Sequence, residues 1–281
     1  MEKEMLWYER VEEQLISATD KELELFLELL CYISDNNISN KLSYKLYENP
    51  QLWDWLTSRE TISLRDIKKE LSIKINKAQK IKEQEYMEDI SSVGSLNDKR
   101  VIILSFDKAN VYCVCCIDDY YVALRKYLAM EKKDDFCKDM LECFPNIYFT
   151  DDIASTINTL NRKFEELREE IVEHLIELNN YHTKFLELLS QNESNQVIAQ
   201  KFYEDTRINC SPQSSRNSVR ELKISCFNEI NKRNEVINCE LHTKFNKHNI
   251  DRTKQDRIYF FPGRQGIHEG KIIVKHIGKH L

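Results

Sequence analysis

Apolar residues recur at helical spacing through most of the chain and change to a strand-like period in two places. Leu6, Val11, Leu15 and Ile16 mark the apolar face of a first short helix. Asp20 opens a second, in which Leu23, Leu25, Phe26, Leu29, Leu30, Tyr32 and Ile33 face a core. Short pieces over 41–56 gather around Pro50, with Trp53 and Trp55 as anchors. Ser63 then opens a helix through Ile67, Leu71, Ile73 and Ile75. The pattern makes 1–82 an N-terminal helical domain, followed by a polar linker at 83–100 that contains Gly94.

The period changes at VIILSF (101–106) and NVYCVCCI (110–117), and the short link between them predicts a β-hairpin. Residues 119–144 read as helical up to Pro145, and IYF at 147–149 as a short strand. The longest helix spans 153–190, with Ile153, Ile157, Leu160, Phe164, Leu167, Ile171, Leu178, Phe185 and Leu188 on a heptad seam. Such a seam packs either against another helix of the chain or against a second copy, as a homodimer. His174 and Tyr181 share it, and His174 reads as a hydrogen-bonded seam residue rather than a ligand. A loop with a short helix at 195–205 follows. A helix at 217–235, with Val219, Leu222, Cys226 and Ile230 on one face, would return along the long one as a helical hairpin.

Three strands close the chain: 236–245, 257–261 and 271–278. The connection PGRQGIHEG has the Gly and Pro content of a tight turn, so the three should form an antiparallel meander. Alternation places Ile272, Val274 and His276 on one face of the last strand and Ile273, Lys275 and Ile277 on the other. In the middle strand Arg257, Tyr259 and Phe261 share a face, opposite Ile258 and Phe260. The expected fold is therefore α+β. A mostly helical body with a long helical hairpin (101–235, with the β-hairpin) carries a small antiparallel sheet (236–281), and the 101–117 hairpin is a candidate to extend that sheet.

Composition sharpens this division. Five Gly and four Pro in 281 residues suit long helices. The last 42 residues hold five of the seven His and nine Lys or Arg against four Asp or Glu. That segment is +5 while the whole chain is −6. Nine Cys with no secretion-type leader point to reduced thiols. Cys113, Cys115 and Cys116 lie among Val, Tyr and Ile and lack a second ligand pair, so a buried strand is favoured over zinc. No apolar run is long enough to span a bilayer, and the charged start MEKEMLWYERVEEQ predicts a cytoplasmic protein with no membrane contact. No phosphate-binding glycine loop, nucleophile elbow or H-E-x-x-H motif is present, so neither a cofactor nor a metal is expected.

RIYFF, a hairpin, then KIIVKHIGKHL resembles the C-terminal half of the RelE/ParE toxin superfamily, and CELHTKF resembles the stretch before its Arg strand. The likeness covers about 45 of 281 residues. It implies a small sheet with helices on one face and metal-independent RNA cleavage by basic and aromatic side chains. His242, Lys244, Arg257, Tyr259 and His276 would be catalytic. Lys247, Arg264, Lys271, Lys275, Lys279 and His280 would contact nucleic acid. RNA cleavage needs a base for the 2′-hydroxyl, cations for charge on phosphorus and an acid for the leaving oxygen, and these residue types can supply all three. The function expected is a toxin-like effector of a bacterial toxin–antitoxin or anti-phage defence system, acting on RNA or the ribosome. The alternative is a non-enzymatic adaptor of a defence complex, with helices for protein contacts. In either case a protein partner, such as an antitoxin or another subunit, is expected.

Overall fold

The run EKEMLW is a strand rather than part of a helix: Met5, Leu6 and Trp7 are buried together, as a strand covered on both faces requires. In the computed structural model, which describes residues 2–58, 62–96, 99–213, 220–245 and 255–281, the chain divides into two units, Met1–Tyr127 and Leu128–Leu281. The first unit runs β1 (Glu2–Trp7), α1 (Val11–Ser17), α2 (Asp20–Asp35), β2 (Ser39–Ser43), α3 (Tyr44–Tyr47), α4 (Pro50–Thr57), α5 (Ile62–Lys77), β3 (Gln79–Ile81), α6 (Glu83–Ser92), β4 (Lys99–Leu104), β5 (Cys113–Val114) and α7 (Ile117–Leu128). Its strands are parallel, in the order β3-β2-β1-β4-β5.

Three expectations are corrected here. Residues 1–82 are not all-helical, because β1, β2 and β3 thread between the helices. The stretch 83–100 is not a linker: α6 covers the sheet with Tyr86, which packs with Leu6, Ile81 and Val101. The 101–117 hairpin is instead a parallel pair, since the loop after Leu104 carries the chain back before β5 begins. Asp107 and Asn110 make that reversal by accepting from the amides of Ala109 and Tyr112.

The polar sequence SNKLS forms a strand because its charge is paired inside. The buried Lys41 ammonium lies 3.1 Å from Glu4 and 3.3 Å from both Glu85 and Asp89. Lys99 adds contacts of 2.9 Å to Glu4 and 2.7 Å to Asp89. Removing one partner of a buried ion network strands the others, which costs roughly 3–5 kcal/mol. We therefore expect Lys41→Ala to lower unfolding stability in urea by about that amount. Lys184→Ala, at the exposed pair with Glu187, should leave the midpoint nearly unchanged.

The second unit runs α8 (Lys133–Cys143), β6 (Ile147–Phe149), α9 (Ile153–Ile157), α10 (Phe164–Asn180), α11 (His182–Ser190), α12 (Asn195–Thr206), β7 (Cys210–Pro212), β8 (Lys223–Asn228), β9 (Arg233–Asn238), β10 (Leu241–Lys244), β11 (Arg257–Phe261) and β12 (Ile272–Gly278). Its main sheet has the order β6-β12-β11-β10-β7. The antiparallel meander β10-β11-β12 forms as expected. It is extended by β6 and β7 and not by residues 101–117.

The continuous helix at 153–190 is broken twice. Between α9 and α10 the fully buried Asp256 accepts from the amides of Asn161 (2.9 Å) and Arg162 (3.4 Å) and from Asn161 Nδ2 (2.9 Å). A second break falls at Tyr181. Ile171, Leu175, Leu178 and Phe185 are buried at 0% exposure within this unit, so the seam is spent inside the chain rather than on a second copy. Phe185 packs on Phe260, which brings α11 onto one face of the sheet. Asp256→Ala should destabilise by about 1–3 kcal/mol for each donor left without a partner. Chemical denaturation reads this directly, and Asp256→Asn, which keeps one acceptor oxygen, should recover part of the loss.

The helix expected at 217–235 is instead the antiparallel ribbon β8–β9. Cys226 and Ile237 face inward, with Phe227 and Val236 outward. Leu222, Cys226 and Ile230 are spaced by four, which satisfies a strand's period of two as well as a helix's turn. Val219 lies outside the described residues. The strand expected at 236–245 is split, since β9 ends at Asn238 and β10 starts at Leu241. One further correction bears on the site. A β-bulge at Lys275 shifts the register, so that Tyr259 pairs with His276 but Phe260 pairs with Val274. His276 therefore shares the face of Tyr259, while Val274 joins Phe260 on the other.

Candidate functional site

Register builds the site. Ser211, His242, Tyr259 and His276 lie in one row across β7, β10, β11 and β12, and Lys244, Arg257 and Gly278 form the next row on the same face. Residues far apart in sequence thus meet because strand pairing aligns them. The opposite face is structural: Thr243 bonds His174 at 2.9 Å, and His174 is the hydrogen-bonded seam residue expected.

Within the cluster, Arg257 Nη1 donates to His242 Nε2 at 3.1 Å and to Tyr259 Oη at 3.4 Å. The Ser211 hydroxyl donates to the same His242 Nε2, also at 3.1 Å. A ring nitrogen that accepts twice carries no proton, so His242 is the neutral Nδ1–H tautomer, with Nδ1 facing the Glu240 carbonyl at 3.4 Å. Burial, and then the adjacent Arg257 charge, lowers its pKa to about 3. Burial also lowers the pKa of His276, whose Nε2 donates to the Lys279 carbonyl at 3.0 Å. Exposed His280 is lowered by partial burial and then by Arg257, with Lys244 adding to it. His242, Lys244, Arg257 and His280 therefore lie within one cationic field.

The predicted catalytic residues are brought together, but recessed: Tyr259 is 0% exposed, His242 2%, His276 6% and Arg257 8%. Arg257 Nε is buried with no hydrogen-bond partner among the described residues. Several residues predicted to contact nucleic acid are elsewhere engaged. Arg264 pairs with Glu235 and lies over Phe261, Lys271 pairs with Glu269, and Lys275 pairs with Asp152. Lys279 and His280 are exposed beside the cluster, and Lys247 lies outside the described residues. Ser211 was not foreseen: it sits on a three-residue strand with no periodicity to reveal it.

Other places carry less chemistry. In an open α/β sheet ligands favour the crevice where strand order reverses, here between β1 and β4. Close to it Gln14 Oε1 accepts from Ser105 Oγ and the Phe106 amide, both at 3.0 Å. The Cys115 thiol donates to Asp119, and burial pushes its pKa up to about 12, so it is a poor nucleophile at neutral pH. Among the described residues no group of His, Cys, Asp and Glu could hold a metal. Among the described residues no helix is long and apolar enough to cross a membrane.

No family model matches this chain, no curated protein matches its sequence, and no solved structure matches its fold.

The neutral His242 has a measurable signature. The unfolded imidazole takes up a proton near pH 6.5, which the folded one refuses until about pH 3. Its contribution to stability is therefore complete above pH 6.5 and is lost as pH falls towards 3. NMR should show a flat His242 imidazole signal from about pH 5 to 8, and Arg257→Met should move its titration upwards.

Proposed function

We propose that this chain is a toxin-like effector of a bacterial defence or toxin–antitoxin system, and that its C-terminal unit grips RNA by the phosphate through Arg257. The observation that carries this reading is the state of that guanidinium. One nitrogen is clamped by His242 and Tyr259, while Nε remains buried without a partner among the described residues. A rigid planar fork with donors to spare is suited to phosphate oxygens. Lys244 strengthens the field around it.

The roles within the site differ from those the family likeness implies. The His242 Nε2 lone pair is held by Arg257 and Ser211, so His242 aims the arginine rather than serving as the base for a 2′-hydroxyl. Tyr259 Oη accepts from Arg257 and from the Leu281 amide, leaving its own proton to donate to a leaving oxygen. Phosphate recognition is thus better supported than cleavage, and cleavage by a metal-independent route is the finer reading.

An adaptor role is the second reading. It is favoured by the ribbon's outer side, where Phe227 and Val236 are 49% and 71% exposed. Exposed apolar side chains gathered on one short element suit a protein partner.

Binding of a labelled single-stranded oligoribonucleotide, titrated against salt, tests the first reading. Arg257→Ala should weaken binding irrespective of sequence and reduce the salt slope by roughly 1. Equal binding by both proteins at every salt concentration would reject it. Incubation of the purified protein with RNA in the presence of a chelator separates cleavage from binding alone.

A further inference from the structure

The geometry points to a regulatory strap: residues 279–281 close the Arg257 site and must lift before a phosphate can reach it. This inference rests on the phosphate reading above and concerns the same site.

The path of the segment carries the argument. After β12 ends at Gly278, the chain turns across the sheet instead of continuing past its edge. Lys279 is held at the β12 side, its amide donating to Thr159 Oγ1 at 3.4 Å and its carbonyl accepting from His276 at 3.0 Å. Leu281 has by then reached the middle strand, where its amide donates to Tyr259 Oη at 3.2 Å. Its carbonyl accepts from Gln213 Nε2 at 3.2 Å, and Gln213 directly follows β7 at the far edge of the sheet. Three residues thus span the polar face from one side to the other.

What lies beneath is what a phosphate would need. Tyr259 and Arg257 are buried, and the Leu281 amide occupies the Tyr259 oxygen. The strap itself is weakly anchored. Lys279 and His280 are exposed, Leu281 is only half-buried, and Lys279 and Leu281 are held by single hydrogen bonds at 3.0–3.4 Å. His280 also places a titratable ring beside the Arg257 and Lys244 cations. Such a segment is built to be displaced without unfolding the sheet below. An arriving phosphate would give Arg257 its missing partner and offer Tyr259 an oxygen in exchange for the Leu281 amide.

The test compares wild type, a variant lacking residues 279–281, and Gln213→Ala, which removes only the far anchor. Arginine modification by phenylglyoxal, mapped to the peptide containing Arg257, reads the strap without any RNA. Both variants should modify Arg257 several-fold faster than wild type, and inorganic phosphate should slow the reaction. Affinity for a single-stranded oligoribonucleotide should rise about 10-fold if the open form is about a tenth of the population. Arg257→Ala in the shortened background should abolish the gain. If the folded variants modify Arg257 at the wild-type rate, the strap is overturned. If Arg257 opens but neither RNA nor phosphate responds, the closure stands and the phosphate reading falls. Should the shortened protein fail to fold, Gln213→Ala alone decides between these outcomes.

Discussion

One buried carboxylate sets the geometry of the C-terminal unit. Asp256 is fully enclosed and gathers two backbone amides and a side-chain amide from residues 161–162, while its own carbonyl accepts from Phe245. It therefore holds the turn between α9 and α10 and fixes the residue from which β11 sets out. Arg257 is the next residue in the chain. The position of the guanidinium is inherited from a carboxylate whose charge is answered mainly by amides of the turn between α9 and α10.

That arrangement explains which parts of the fold were legible in the sequence. The meander was readable because RIYFF and KIIVKHIG are short, rich in β-branched and aromatic residues, and separated by a Gly- and Pro-rich turn. The break at Asn161 was not, because its cause lies 95 positions away in Asp256. The parallel sheet was hidden for a related reason. Strands covered on both faces do not alternate, and β2 holds Lys41 inside only because Glu4 and Asp89 come from β1 and α6. The ribbon was misread because even spacing of Leu222, Cys226 and Ile230 suits either element.

The candidate site shows the same division. His242, Arg257, Tyr259 and His276 could be nominated from their types and from strand alternation. Their protonation and their partners could not. Both histidines were candidates for acid–base work near neutral pH, yet burial holds each of them neutral. Ser211, which completes the environment of His242, comes from a strand of only three residues. Composition thus marked the region, while pairing across strands determined what each group can do.

The bulge at Lys275 has a consequence for how one sheet serves two purposes. With strict alternation, His276 would turn toward the helices beside Val274, and Ile277 would enter the polar row. One additional residue reverses this. Above the bulge the face is polar, whereas below it Ile273 and Phe261 pack beneath the ribbon with Cys226 and Ile237. The extra residue is itself directed to the margin, where Asp152 receives the Lys275 ammonium. A single inserted position thus divides one surface into a dry half that stabilises and a charged half that can recognise, and the length of β12 becomes as much a determinant of chemistry as the identity of any side chain on it.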